Sequence, residues 1–258
     1  MEYFEKVEQN KEDLNWNIPE QKQGSASVIG GNSQSFCTEV KIAEFLSRKY
    51  PLKEVRTVLP DALKSTLPTI DNLVFLSSTE SGSFASKNEL TSTVNAGDFS
   101  LLLGDFSKNS ITEQAVTGAC ENAEKPLLIT RDAVDLVANG NPEKILLNEQ
   151  VAFFASMPQL QKLLRAVYYP KMLFLTMSLV QVAEVLHKFT LSYPVTLTTL
   201  HSGEILIAKD GKVVAVPLEK SGFSPIMIWN GELAAKIAAL DLYNPNNFIE
   251  ATLSAIFS

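Results

Sequence analysis

Short, continuous apolar runs alternate with stretches of helical spacing through the first part of the chain. Ser27-Val28-Ile29 runs into Gly30-Gly31, a strand ending in a glycine turn, and Val40, Ile42, Ala43, Phe45 and Leu46 then fall on helical spacing over residues 38–49. Further strands are expected over residues 55–59, 73–76, 101–104, 126–130 and 145–147. Between them a short helix opens at Asp61, a Ser/Thr/Gly-rich loop covers residues 77–87, and a helix covers residues 112–124. Buried strands alternating with helices in this way indicate an α/β protein with a parallel sheet covered on both faces. Ligands of such sheets sit beyond the carboxyl ends of the strands, which puts Gly30-Gly31, Gly104-Asp105 and Asp132 on one edge. No Gly-x-Gly-x-x-Gly is present, so a Rossmann dinucleotide site is not indicated.

The pattern then changes. A helix is expected over residues 159–169, and residues 173–176 suit either a strand or the start of a helix. Ser178 and Gln181 form a capping box for a helix ending near Phe189. A strand over residues 195–200 is followed by apolar runs at 204–209 and 212–216 that flank Asp210-Gly211, the strongest hairpin signal in the chain. A polar loop then ends in Trp229-Asn230-Gly231-Glu232 and opens an Ala- and Leu-rich helix reaching Tyr243, with a last helix over residues 247–257. Asn230 suits an N-cap, and Glu232 suits the first turn. Free amides at such a start can receive an anion, and the adjoining carboxylate can take a proton from a bound hydroxyl. The same residues also read as a capped helix with a solvated glutamate. Residues 1–23 are polar, with Trp16, Ile18 and Pro19 as anchors. They read as an arm laid on the domain or a neighbouring subunit, or as a disordered tail, which leaves residues 24–258 as a single domain.

Composition narrows the function classes. With 45% hydrophobic and 20% charged residues the chain is that of a globular protein, and a net charge of −7 without a Lys/Arg run argues against a nucleic-acid partner. An anionic nucleotide stays open, because backbone amides bind phosphate without net positive charge. Cys37 and Cys120 lack CxxC spacing and read as inert thiols in a reducing compartment. The N-terminus has no apolar core for a secretory signal, and the most apolar window, residues 172–186, is too short and too polar to span a membrane. A cytoplasmic protein without a membrane partner is expected. No set of residues has metal-ligand spacing, and no Ser/His/Asp arrangement stands out.

A parallel α/β domain with a late Asp-Gly hairpin, then a polar loop and a helix opening on Asn-Gly-acid, resembles the ribokinase-like superfamily. Within it the ordering is similar to the ADP- or ATP-dependent NAD(P)H-hydrate dehydratases, which repair hydrated nicotinamide cofactors. Val28-Ile29-Gly30-Gly31 matches that family's opening strand and turn, and Cys37 takes the place of a glycine that follows a tyrosine there. Leu102-Leu103-Gly104 matches the strand before its Gly-Pro-Gly-Leu-Gly loop, here Gly104-Asp105-Phe106-Ser107. Thr130-Arg131-Asp132-Ala133 stands for its Asp-Ala-Asp-Ala, His201-Ser202 for its Lys-Gly, and Trp229-Asn230-Gly231-Glu232 for its Gly-Thr/Ser-Gly-Asp. Its Thr-Pro-His-Pro-Gly-Glu is not recognisable at residues 146–150.

The resemblance implies a three-layer fold with a mostly parallel central sheet and a late β-hairpin. It implies ADP or ATP as cofactor, with or without Mg2+, and hydrated NADH or NADPH as substrate. Glu232 is then the catalytic acid-base group. Gly30, Gly31, Gly104, Asp105, Asp132, His201, Asn230 and Gly231 bind the cofactor, in a homo-oligomer that the resemblance makes a tetramer. Several of these residues have plainer readings. Asp132 also reads as the cap of the following helix, Asp105 as a turn cap, His201 as a satisfied loop histidine, and Arg131 as the partner of a phosphate or of a carboxylate. Glu232 reaches about one methylene further than aspartate, and Trp229 replaces a glycine where phosphate should approach. Two other function classes therefore stand beside the enzyme: a catalytically silent binding or assembly module with Trp229 and Phe223 filling the pocket, and a small-molecule kinase.

Overall fold

The computed structural model describes residues 2–9, 13–67 and 72–258. Its strands are β1 (Phe4–Lys6), β2 (Ser25–Gly30), β3 (Glu54–Pro60), β4 (Leu73–Leu76), β5 (Phe99–Gly104), β6 (Leu127–Thr130), β7 (Val151–Phe154), β8 (Thr196–His201), β9 (Glu204–Lys209) and β10 (Lys212–Pro217). Among the described residues they form one ten-stranded sheet in the order β1-β10-β9-β8-β7-β6-β5-β2-β3-β4. Only β9 runs against its neighbours, β8 and β10.

The helices are α1 (Cys37–Lys49), α2 (Lys87–Val94), α3 (Ser110–Glu121), α4 (Asp132–Asn139), α5 (Glu143–Leu146), α6 (Met157–Ala166), α7 (Leu179–Ser192), α8 (Pro225–Trp229), α9 (Glu232–Tyr243) and α10 (Phe248–Phe257). The alternation of the strands sorts their side chains between two cores. On β5, Phe99, Leu101 and Leu103 pack with α1, α8, α9 and α10, whereas Leu102 packs with α2 to α7. The result is three layers, α/β/α, with a mostly parallel sheet in the middle. Helix α9 is enclosed from Leu233 to Leu240, which explains why it is Ala- and Leu-rich rather than amphipathic.

Local chemistry sets several of these elements. Asp210 and Gly211 have φ of 50° and 76°, the two positive values a tight hairpin turn requires. At the start of α7, Ser178 Oγ accepts from Gln181 N at 3.4 Å while Gln181 Oε1 accepts from Ser178 N at 2.8 Å. Ser178→Ala removes half of this box, and a loss of about 1 kcal/mol is expected, read as a lower urea midpoint at unchanged slope.

Other expectations need correction. Residues 145–147 are not a strand: Ile145 and Leu146 end the short helix α5, and the strand is β7, buried at all four positions. Helix α2 was not expected. It is capped by Ser86, whose side chain accepts from Glu89 N, and it buries Leu90 and Val94 one turn apart. Residues 173–176 form neither helix nor strand. In the first residues, β1 pairs with β10, and the buried anchors are Val7 and Leu14 rather than Trp16, which is 84% exposed. Cys120 is buried, as an inert thiol should be, but Cys37 is exposed; both are free. Among the described residues no helix is long and apolar enough to cross a membrane.

Candidate functional site

Strand β2 lies between β3 and β5, so the chain leaves the gap between β2 and β5 in opposite directions. That gap is the switch point where ligands of open α/β sheets bind. The carboxyl ends meet there through glycine: Gly30 stands opposite Gly104 across a register shift, and Gly31 N donates to Gly104 O at 2.7 Å. The backbone is left-handed at Gly31 (φ 88°), Gly104 (117°), Asp105 (56°), Arg131 (57°) and Gly231 (93°). For Asp105 and Arg131 this is a strained conformation, and such residues concentrate at binding sites.

The side chains of this edge are tied together. Asp132, first residue of α4, accepts from Asp105 N at 2.6 Å and Phe106 N at 3.2 Å. Arg131 Nη2 pairs with Asp105 Oδ1 at 2.7 Å, and Asn32 Nδ2 donates to Asp105 O at 2.6 Å. Burial holds the Asp132 carboxyl above its usual range, against the Asp105 amide that lowers it. Thr130 Oγ1 and Arg131 Nη1 are buried without a hydrogen-bond partner among the described residues. So are both carboxyl oxygens of Glu39, which is wholly enclosed. Burial pushes the Glu39 carboxyl up to about 8; a contact with its own backbone N–H, short of hydrogen-bond geometry, opposes this, and the nearby Asp105 adds to it.

Beside this cluster opens a cleft of about 510 Å³ between α4, the start of α6 and α8. Arg131, Asp132, Asp135, Lys162 and Gln159 line one side and Trp229 another. Gln159 closes the Ser156 capping box at the start of α6 and donates through Nε2 to Arg131 O and Asp135 Oδ2, both at 2.7 Å. Lys162 pairs with Asp135. An adjoining recess of about 350 Å³ shares Asp132, Asp135 and Lys162.

No protein-family model matches the chain, and no curated protein matches its sequence. Solved structures do match in shape. A ribokinase-like superfamily protein from Enterococcus faecalis V583 superposes with a TM-score of 0.64 at 15% identity, over 100% of this chain and 86% of that one. The fold is ribokinase-like. The ADP/ATP-dependent NAD(P)H-hydrate dehydratase from Bacillus subtilis, co-crystallized with ATP/Mg2+, has a TM-score of 0.55 at 12% identity, over 96% of this chain and 80% of that one. A hydroxyethylthiazole kinase from Pyrococcus horikoshii OT3 gives 0.53 at 12% identity, over 94% and 79%.

Within this ribokinase-like fold, Gly30, Gly31, Gly104, Asp105 and Asp132 come together at the switch point. Gly231 packs against the same strand ends, since a Cβ on it would stand 2.7 Å from Leu103 Cδ2 and 3.6 Å from Thr130 Cγ2. Asn230 is not the N-cap of α9. Gly231 takes that place, because α8 delivers the chain to it, and Asn230 Oδ1 accepts from Glu232 N at 3.0 Å. Glu232 is half-buried and does not line the cleft. His201 is buried and held by the Met177 carbonyl, 2.8 Å from Nε2, and does not line the cleft either. Phe223 packs on the Lys236 ammonium, 4.5 Å from the ring centroid, so it fills a different space from Trp229. Among the described residues no three His, Cys, Asp or Glu side chains could hold a metal ion. Arg131 and the backbone amides already take the carboxylates of Asp105 and Asp132, so this donor set does not fit a protein-held magnesium.

Glu39, Asp135, Ser156, Gln159 and Lys162 were not anticipated. With β7 at Val151–Phe154, the segment that follows this strand is the loop 155–156 and the first turn of α6 rather than residues 146–150. Its signal was Ser156-x-x-Gln159, a capping box. Glu39 was marked by spacing, since Glu39, Ile42, Ala43 and Leu46 form the buried i, i+3, i+4, i+7 face of α1.

Proposed function

We propose that the chain binds a nucleotide-type ligand in the cleft between Arg131 and Trp229, and that it does so without the phosphoryl transfer of the dehydratases it resembles. One observation carries this: the backbone amides suited to an anion are filled from within. Asp132 holds the Asp105 and Phe106 amides, and Asn230 holds that of Glu232. A transferred phosphoryl group needs such donors free and aimed at the developing charge. What is left suits binding: a planar indole, the part-exposed Arg131 guanidinium on Asp105, and the Lys162 ammonium on Asp135 at the rim. A ring stacks on Trp229, a phosphate meets Arg131 and Lys162, and any magnesium arrives on the phosphates themselves.

ADP, ATP and NADPH, each with and without Mg2+, are the probes for a thermal-shift experiment. At about a hundredfold excess over Kd, a bound ligand adds about 2.7 kcal/mol, or roughly 5–10 °C for a domain of this size. Trp229→Ala is expected to remove the shift. Dehydration of hydrated NADH in the presence of ADP is expected to stay at background. No shift with any of the three ligands overturns the binding reading. Turnover at an enzymatic rate overturns the silent one, and Glu232→Gln then tests whether that acid is the base.

A further inference from the structure

Glu39 is used by nothing so far described. It lies in the first turn of α1 with its carboxyl against the switch point: a Cβ on Gly30 would meet Glu39 Oε1 at 2.5 Å and Gly104 O at 2.7 Å. The space left open by Gly30 is therefore taken by this acid. A buried carboxyl without a partner among the described residues is expensive to keep. The charges acting most strongly on it are Asp105, Arg131 and Asp132, of which Arg131 and Asp132 line the cleft. The other elements packed on α1 carry Glu54 and Arg56 on β3 and Glu232, Lys236 and Asp241 on α9.

We infer that Glu39 is a positioning residue for the cleft, given the anionic ligand proposed there: uncharged, it leaves the Arg131 guanidinium on Asp105 at the cleft wall, where its exposed part meets the ligand, and charged, it draws that guanidinium inward and repels the ligand. The balance of charge supports this. With Glu39 protonated, Asp105, Asp132 and Arg131 sum to one negative charge; with Glu39 ionised they sum to two. Its carboxyl titrates at about 8, inside the working range of most binding experiments. An added charge several ångströms from a ligand phosphate in a partly buried site lowers affinity on the order of tenfold or more.

The test uses the full chain in a Trp16→Phe background, which leaves Trp229 as the sole indole because the chain has 2 tryptophans. ATP affinity is measured by calorimetry from pH 7 to 9.5 for this protein and for its Glu39→Gln variant, and Trp229 emission is followed over the same range without ligand. The protein with Glu39 is expected to lose about tenfold in affinity through pH 8 and to show an emission change with the same midpoint. Glu39→Gln is expected to lack both of these changes. Lys236 also titrates at about 8, but it is present in both proteins and cancels from the difference. Identical pH profiles for the two proteins overturn the inference. If ATP fails to bind at any pH while emission still titrates only in the protein with Glu39, the coupling of Glu39 to the cleft stands and the nucleotide reading falls.

Discussion

Glu39→Gln is expected to stabilise the protein at pH 7, by about 3 kcal/mol. The carboxyl titrates near 4.5 when unfolded and at about 8 when folded, because burial penalises its charged form. Below the unfolded value both states carry the proton and stability is complete. As the pH rises towards the folded value, the unfolded chain releases a proton that the folded chain keeps. Stability therefore falls by about 1.4 kcal/mol per pH unit, to a total of roughly 4–5 kcal/mol above pH 8. Glutamine keeps the shape and has no proton to exchange, so this slope should vanish. Urea unfolding at pH 5, 7 and 9 measures it: the gap between the two proteins should widen with pH, and a constant gap contradicts the burial argument.

Gly104→Ala should be among the most damaging single-methyl changes, at a cost of about 3–5 kcal/mol. Two effects add. At φ of 117° the backbone is strained for any residue with a side chain, and the new methyl would collide with the Asp132 carboxylate while standing 3.3 Å from Ala133 N. Gly203→Ala separates the two effects, since its φ is also positive, at 76°, but nothing lies within 4 Å of the added methyl. It should cost only about 1 kcal/mol. If the two variants unfold at the same urea concentration, the carboxylate does not occupy the face of Gly104.

Features that depend on residues a few positions apart were legible in the sequence. The Asp210-Gly211 turn and the Ser178 capping box need only their own neighbours, and both stand where expected. Strand β7 was not legible. Two short apolar runs, at residues 145–147 and 151–154, lie within a few residues of each other, and pieces so short fit a helix or a strand equally well. Only the sheet decides between them, by giving β7 a place between β6 and β8. That single ambiguity displaced the loop lining one side of the cleft. Helix α2 was hidden by composition, because its cap, Ser86-x-x-Glu89, lies at the end of a Ser/Thr/Gly-rich stretch. At the candidate site, sequence spacing located the glycine turns, since glycine is demanded by backbone shape. It could not say whether Trp229 or Glu232 faces the cleft, because α8 turns the chain just before α9. Glu39 was not legible for a related reason. A helix face traced through apolar residues alone skips the one acid that shares it.

The pairing of β1 with β10 has a consequence for biosynthesis. Phe4, Glu5 and Lys6 leave the ribosome long before their partners, Val213, Val214 and Ala215. At about 5–20 residues per second, the first strand waits roughly 10–40 s for the last one to emerge. The sheet must therefore assemble from β2 onwards and receive its outermost member at the end. As an edge strand of 3 residues, that member should also be the first to peel away when the native protein breathes.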